Sequence, residues 1–163
     1  MSTIYILTEN FLRFWFQYVF AFASDLEIAN AKQAKKQFKE KSNLLATIVY
    51  EQIARTHLRS LSAKLFPMDR VGRYWNKHVE IDGVGFNTER KKIAFMEAKW
   101  SESKQDIRTL NKLREKSKLV PWNTNDRSDY FIIYSKSGFA NDLLTLNKKK
   151  QNLILVHQEK IVG

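Results

Sequence analysis

Residues 79–100, VEIDGVGFNTERKKIAFMEAKW, set two strand-like runs on either side of a polar turn. Val79, Ile81 and Val84, then Ile93, Phe95 and Met96, supply material for a half-buried sheet, and NTERK supplies the turn. The same runs carry Glu80, Asp82, Glu97 and Lys99. Charged residues are depleted in strands, and burying an ion without a partner costs on the order of several kcal/mol. Residues two apart in a strand share a face, so Glu97 and Lys99 point the same way, as do Glu80 and Asp82. If the two strands pair, Asp82, near the end of the first, meets Glu97 and Lys99.

Two carboxylates brought that close repel one another unless a proton or a cation sits between them. A hard divalent cation is the natural partner. Mg²⁺ (or Mn²⁺) takes oxygen ligands, keeps several waters, and is held by one or two carboxylates together with phosphate oxygens. Such an ion polarises a phosphodiester and activates a water, while a nearby lysine orients that water or stabilises the developing charge. The bland alternative is a salt-bridge cluster on the solvent face of an edge hairpin.

The rest of the chain predicts what surrounds these strands. Residues 10–23 predict an aromatic helix, read as buried, and residues 24–41 a polar, Lys-rich helical connector. Residues 43–61 predict a helix whose apolar face uses Leu45, Ile48, Val49 and Ile53, with Glu51 bordering that face. RVGRYWNKHVEIDGVGFN predicts one or two strands, bending at Gly72 and at Asn76 and Lys77. KIAFMEAKW predicts a strand, and residues 101–118 an amphipathic helix around Ile107, Leu110 and Leu113. A loop over 121–127, the strand DYFIIYS, the short helix GFANDLLTL and the strand NLILVH follow. That order predicts a mixed α/β core, one sheet flanked by helices, behind an N-terminal helical extension.

Length and composition narrow the function. The 163 residues suit one compact domain, or one domain with a short extension. Lys and Arg number 28 against 17 acidic residues, a formal net charge of +11 that favours a polyanion such as DNA over a charge that serves solubility alone. Arg73, Lys77, Lys104 and Arg108 are candidates for a phosphate-binding track, with Lys104, Arg108 and Lys112 at i, i+4 spacing. Trp75 and Trp100 either stack on bases or pack in the core. There are no cysteines, which excludes disulfides, Cys-ligated zinc and thiol catalysis and fits a cytoplasmic location. His57, His78 and His157 lack the spacing of a zinc site. FLRFWFQYVFAFA is shorter than the roughly 20 residues that span a bilayer and is interrupted by Arg13 and Gln17, so no membrane partner is expected.

A helical Glu51, then Asp82 closing a strand, then E-x-K (Glu97, Lys99) ending the next strand, resembles the PD-(D/E)XK nuclease superfamily, the restriction-endonuclease-like fold. The first motif here reads EID, without the Pro of the name. The blocks ENFLRFWFQYVF, YEQIARTHL, VGRYWNKHVEID, FMEAKWSES and YFIIYSKSGF, in that order across residues 5–140, look like the C-terminal nuclease-like domain of archaeal DEXX-box ATPases, catalogued as a domain of unknown function. The resemblance implies a restriction-endonuclease-like core over residues 42–163, behind a helical extension over 1–41. It implies Asp82 and Glu97 as ligands of Mg²⁺ (or Mn²⁺), Lys99 as the water-orienting or charge-stabilising base, and Glu51 as a further acidic group. Glu80 is either a second acid at the site or a salt-bridge partner for Arg73 or Lys77.

The activity implied is a Mg²⁺-dependent DNA endonuclease, the alternative being a catalytically silent nucleic-acid-binding or regulatory module. An ATPase module in cis or in trans is an expected partner, yet this chain has no G-x-x-x-x-G-K-[ST] and is not expected to bind ATP as a P-loop enzyme. Its opening, STIYILTENF, resembles the approach to the nuclease-like domain, as in an excised fragment, a split gene product or a free-standing relative. The aromatic helix either buries in this domain or forms the contact to an ATPase or to a second copy in a homo-oligomer.

Overall fold

The computed structural model describes residues 9–158 and 160–162. Residues 1–8 of the expected extension, with most of the STIYILTENF opening, lie outside the described residues. The chain divides into two units, Met1–Val49 and Tyr50–Gly163.

In the first unit the aromatic segment is helical throughout: α1 (Asn10–Phe14), a π-helical turn (Trp15–Val19), a 3-10 turn (Phe20–Phe22) and α2 (Ala23–Glu27). The Lys-rich start of α3 (Lys32–Ser60) follows. Phe14 and Tyr18 pack on Phe38, with ring centroids 6.1 and 5.2 Å apart. Tyr18 is buried, but Phe11, Phe14, Trp15, Phe16 and Phe20 are exposed. The expectation of a buried helix is therefore corrected. A helix with one helical neighbour covers one face only, and here aromatic rings occupy more than one.

The second unit begins inside α3. Ala54 and Leu58 are buried there, followed by Leu61 in a 3-10 turn (Leu61–Ala63). The buried line runs at spacings of four and three. Ile53, expected on the apolar face, lies off that line and is exposed. The helix is also longer than expected, one run of 29 residues instead of a connector and a separate helix.

Six strands complete the unit: β1 (Arg70–Trp75), β2 (Glu80–Asn87), β3 (Lys92–Lys99), β4 (Ser128–Ser135), β5 (Leu153–His157) and β6 (Lys160–Val162). They form one sheet in chain order. β1, β2 and β3 pair antiparallel, β3, β4 and β5 parallel, and β6 antiparallel on β5. The parallel pairs need long crossovers, supplied by α4 (Ile107–Lys118) and α5 (Asn141–Lys149). Asp106 caps α4 by accepting the Arg108 N–H at 2.9 Å. Leu110 and Leu113 of α4 and Leu143 of α5 pack with Ile93, Phe95, Ile133 and Leu155 on one face of the sheet. Ala54 and Leu58 of α3 pack with Ala94, Met96, Ile132 and Tyr134 on the other. The protein is thus a mixed α/β chain with a six-stranded mixed sheet flanked by helices and an N-terminal helical region. β6 extends it one strand beyond the expected NLILVH edge.

A β-bulge shapes the end of β2 that carries Asp82. Gly72 pairs with Val84 but Tyr74 pairs with Ile81, so Asp82 and Gly83 oppose Arg73 alone. Gly83 lets the strand pack closely on β3: a Cβ there would stand 2.6 Å from Met96 Cε, and the tip of that side chain would have to move aside.

Candidate functional site

The β2–β3 ladder runs from Asn87↔Lys92 to Gly83↔Met96. Beyond Gly83, Asp82 Oδ2 accepts the Ala98 N–H at 2.9 Å. A side chain has taken the place of a ladder bond, and it anchors a carboxylate at the end of the strand pair. β3 is held through Lys99↔Ser135 by β4, so Glu97 and Lys99 project from a fixed strand. Asp82 and Glu97 are both buried, at 9% and 6% exposure. They line, with His78, Lys99, Lys116 and Lys118, a cleft of about 660 Å³.

Glu97 is doubly engaged. Lys99 Nζ donates to its Oε1 at 2.5 Å, and Lys116 Nζ, from the last turn of α4, donates to Oε2 at 2.8 Å and Oε1 at 3.2 Å. Burial opposes ionisation of Glu97, but the bonds from Lys116 and Lys99 outweigh it and hold the carboxyl below its usual range. Asp82 goes the other way. Burial pushes it up, and the like charge of Glu97 adds to that push against the Ala98 N–H and the two lysines. Burial works against the Lys99 ammonium, yet its bond to Glu97 and the nearby acids raise its pKa overall. Lys99 is therefore an ammonium at neutral pH, able to stabilise negative charge or orient a water, and not a proton acceptor.

Glu51 reaches the same end of β2 from α3, on the opposite face. Its carboxylate lies 3.8 Å from Arg55, whose Nη1 donates to the Asp82 carbonyl at 2.6 Å. Burial and then the Asp82 charge raise the Glu51 carboxyl. Glu80 lines the cleft but is bonded to Arg73, not Lys77. Lys77 is exposed in the turn where Asn76 Oδ1 accepts the N–H groups of His78 and Val79. Lys104 precedes α4, so it cannot share a helix face with Arg108, and Arg108 bonds Asp106 at the end of α4 opposite Lys116. None of Arg73, Lys77, Lys104 and Arg108 lines the cleft. Trp100 packs on Tyr50 with the Lys136 ammonium 4.5 Å from its ring centroid, while Trp75 is exposed.

Sequence reasoning missed Lys116 and Lys118. The signal was present for Lys116, which stands three residues after Leu113 and one before buried Ser117, at the edge of the buried face of α4.

Among the described residues no group of three or more His, Cys, Asp or Glu side chains is placed to hold a metal ion. The cleft offers an acid pair. In kind it suits Mg²⁺, which is held by one or two carboxylates with phosphate and water oxygens.

The opposite shifts give opposite linkages. Glu97, lowered, contributes stability above the ordinary carboxylate pKa, and that stability is lost as pH falls through its folded value. Asp82, raised, binds its proton more tightly in the folded state, so stability falls as pH rises from the ordinary Asp value of about 3.9 through the raised one. Asp82→Asn keeps an acceptor for Ala98 and removes that fall. Denaturant unfolding across this window is expected to show the variant gaining on wild type as pH rises, and a variant that loses ground would contradict the assignment.

The fold and site together define a mixed α/β domain with a buried acid pair and two lysines at the end of a strand pair. The chain belongs to the DUF234 family, archaea bacterial proteins of unknown function, whose model matches residues 15–110. That segment contains Glu51, Asp82, Glu97 and Lys99 and ends before Lys116. The chain is also 32% identical over 139 residues to an uncharacterized protein of Methanocaldococcus jannaschii, the match taking in 81% of this chain and 30% of that protein. It spans less than a third of that relative's length. No solved structure matches. Among the described residues no helix is long and apolar enough to cross a membrane.

Proposed function

We propose that this chain is a PD-(D/E)XK nuclease-like domain that hydrolyses DNA phosphodiesters with Mg²⁺ or Mn²⁺. The observation that carries the reading is the meeting of Asp82, Glu97 and Lys99 in one cleft at the end of β2 and β3. Asp82 and Glu97 would hold the cation, and Glu51 would support Asp82 from behind through Arg55. When bound, the cation polarises the phosphodiester and lowers the pKa of a water. Lys99 supplies positive charge beside the phosphoryl oxygens as the new O–P bond forms and the old P–O bond breaks. The net charge of +11 supports a nucleic-acid substrate. The exposed rings of the N-terminal unit serve, in this reading, as the contact to an ATPase module or to a second copy.

A second reading is favoured by one observation. Glu97 is already satisfied by two ammoniums, as in a silent module that binds nucleic acid without cutting it. The test places linear, supercoiled and branched DNA with Mg²⁺ or Mn²⁺ on one gel, with wild type beside Glu97→Gln. Cleavage by wild type alone supports the nuclease. Salt-sensitive retardation by both proteins, with no cleavage, supports the silent module.

A further inference from the structure

The charges that line the cleft are balanced. Asp82 and Glu97 bring two negative charges, and the ammoniums of Lys99 and Lys116 bring two positive ones. The other acids of the lining have cations of their own, Glu80 in Arg73 and Glu115 in Lys118. A dication entering this cluster meets no net negative charge to draw it in. It also meets Lys116 in the way. Lys99 touches only Oε1 of Glu97, whereas Lys116 lies 2.8 Å from Oε2 and 3.2 Å from Oε1 and so spans the pair of oxygens a cation would use.

Lys116 has somewhere else to go. Its side chain is 33% exposed against 8% for Glu97. It stands on a different element from Glu97, at the C-terminal turn of α4, and shares the cleft lining with Lys118 and His78. A nucleic-acid phosphate at the mouth of the cleft is an anion that a flexible four-carbon stem can meet.

We propose that Lys116 is a positioning residue that couples the two ligands of this site. Without phosphate its ammonium holds Glu97. When a backbone phosphate enters, the ammonium transfers to a phosphate oxygen and leaves Glu97 Oε2 to the cation, while Lys99 stays on Oε1. The inference rests on the divalent-cation reading of Asp82 and Glu97. Its consequence is that cation and nucleic acid reinforce one another, each raising the affinity of the other by the same factor.

The test is a Mn²⁺ titration followed by the electron paramagnetic resonance of the free ion, with and without a short duplex oligonucleotide. Cleaved or intact, the duplex supplies the phosphates. In wild type the duplex is expected to tighten Mn²⁺ binding about tenfold. Lys116→Met, which keeps the stem without the charge, is expected to bind Mn²⁺ about tenfold more tightly than wild type without duplex, and to gain little from it. Lys116→Arg keeps the charge and should keep the duplex dependence. Circular dichroism checks folding, and Lys116→Gln replaces the methionine variant should that one not fold. A charge-free variant that binds Mn²⁺ as weakly as wild type, with the same gain from duplex, overturns the coupling and leaves the metal site standing. No Mn²⁺ binding by any of these proteins, duplex or not, overturns the metal site and the coupling with it.

Discussion

Arg127→Ala lowers the stability of the second unit by about 3–5 kcal/mol, because it removes a buried cation that organises the end of α4. The Arg127 side chain is 5% exposed. Its Nη1 donates to the carbonyls of Val120 and Trp122 at 2.7 and 2.8 Å, its Nη2 to that of Ser117 at 2.8 Å, and its Nε to Asp129 at 2.8 Å. The guanidinium also lies over the Phe95 ring, 5.3 Å from its centroid. The Ser117 carbonyl closes the C-terminal turn of α4 and also accepts the Val120 N–H at 3.2 Å, and Val120 and Trp122 belong to the loop after it, so Arg127 ties the helix end to that loop. Alanine leaves all three carbonyls and Asp129 without this donor. For a chain of this length the loss corresponds to a fall in Tm of about 10 °C. Arg127→Lys recovers little, since a single ammonium cannot match a planar fork with donors in several directions. Thermal and denaturant melts followed by circular dichroism measure both variants, and a melt unchanged by alanine would contradict this role. Ser117 follows Lys116 directly, so the same residue fixes the turn that delivers Lys116 to Glu97.

On the proposed nuclease reading, Glu97→Gln is expected to leave the fold intact and to reduce DNA cleavage by about 10³-fold. Glutamine keeps the shape, and the lysines that lose their charge partner are 40% and 33% exposed, so both can turn to water. What goes, on that reading, is one of the two carboxylates proposed to hold a cation whose charge stabilisation is worth several kcal/mol, at about 1.4 kcal/mol per factor of ten. DNA binding moves in the other direction. With the proposed DNA substrate in place, removing a negative charge beside its phosphates is expected to hold affinity or raise it, and gel retardation at several salt concentrations reads that separately from cleavage. A variant that cuts at the wild-type rate would remove Glu97 from the chemistry.

Much of the sheet was legible because strand periodicity is local. Glu97 and Lys99 sit two apart in β3, and their shared face followed from the pleat alone. Asp82 was harder, since the bulge opposite Arg73 and the side-chain bond to Ala98 depend on pairing that simple alternation does not encode. The second lysine on Glu97 was hidden for a related reason. It comes from α4, and its place depends on how the crossover between β3 and β4 packs. Arg127 lies in a stretch that reads only as a loop, though it holds that crossover in place. The aromatic helix misled because apolar composition reports what can be buried, not what covers it, and Phe11, Phe16 and Phe20 stand exposed. Ile53 shows the converse, an apolar residue one position away from the buried Ala54.

Anomalous scattering from Mn²⁺ in crystals grown with a short duplex bears most directly on the proposed metal site. The predicted result is a peak bonded to carboxylate oxygens of both Asp82 and Glu97, beside a backbone phosphate and with Lys99 close by. A bound duplex with no peak in the cleft, and Glu97 still held by Lys99 and Lys116, would contradict it.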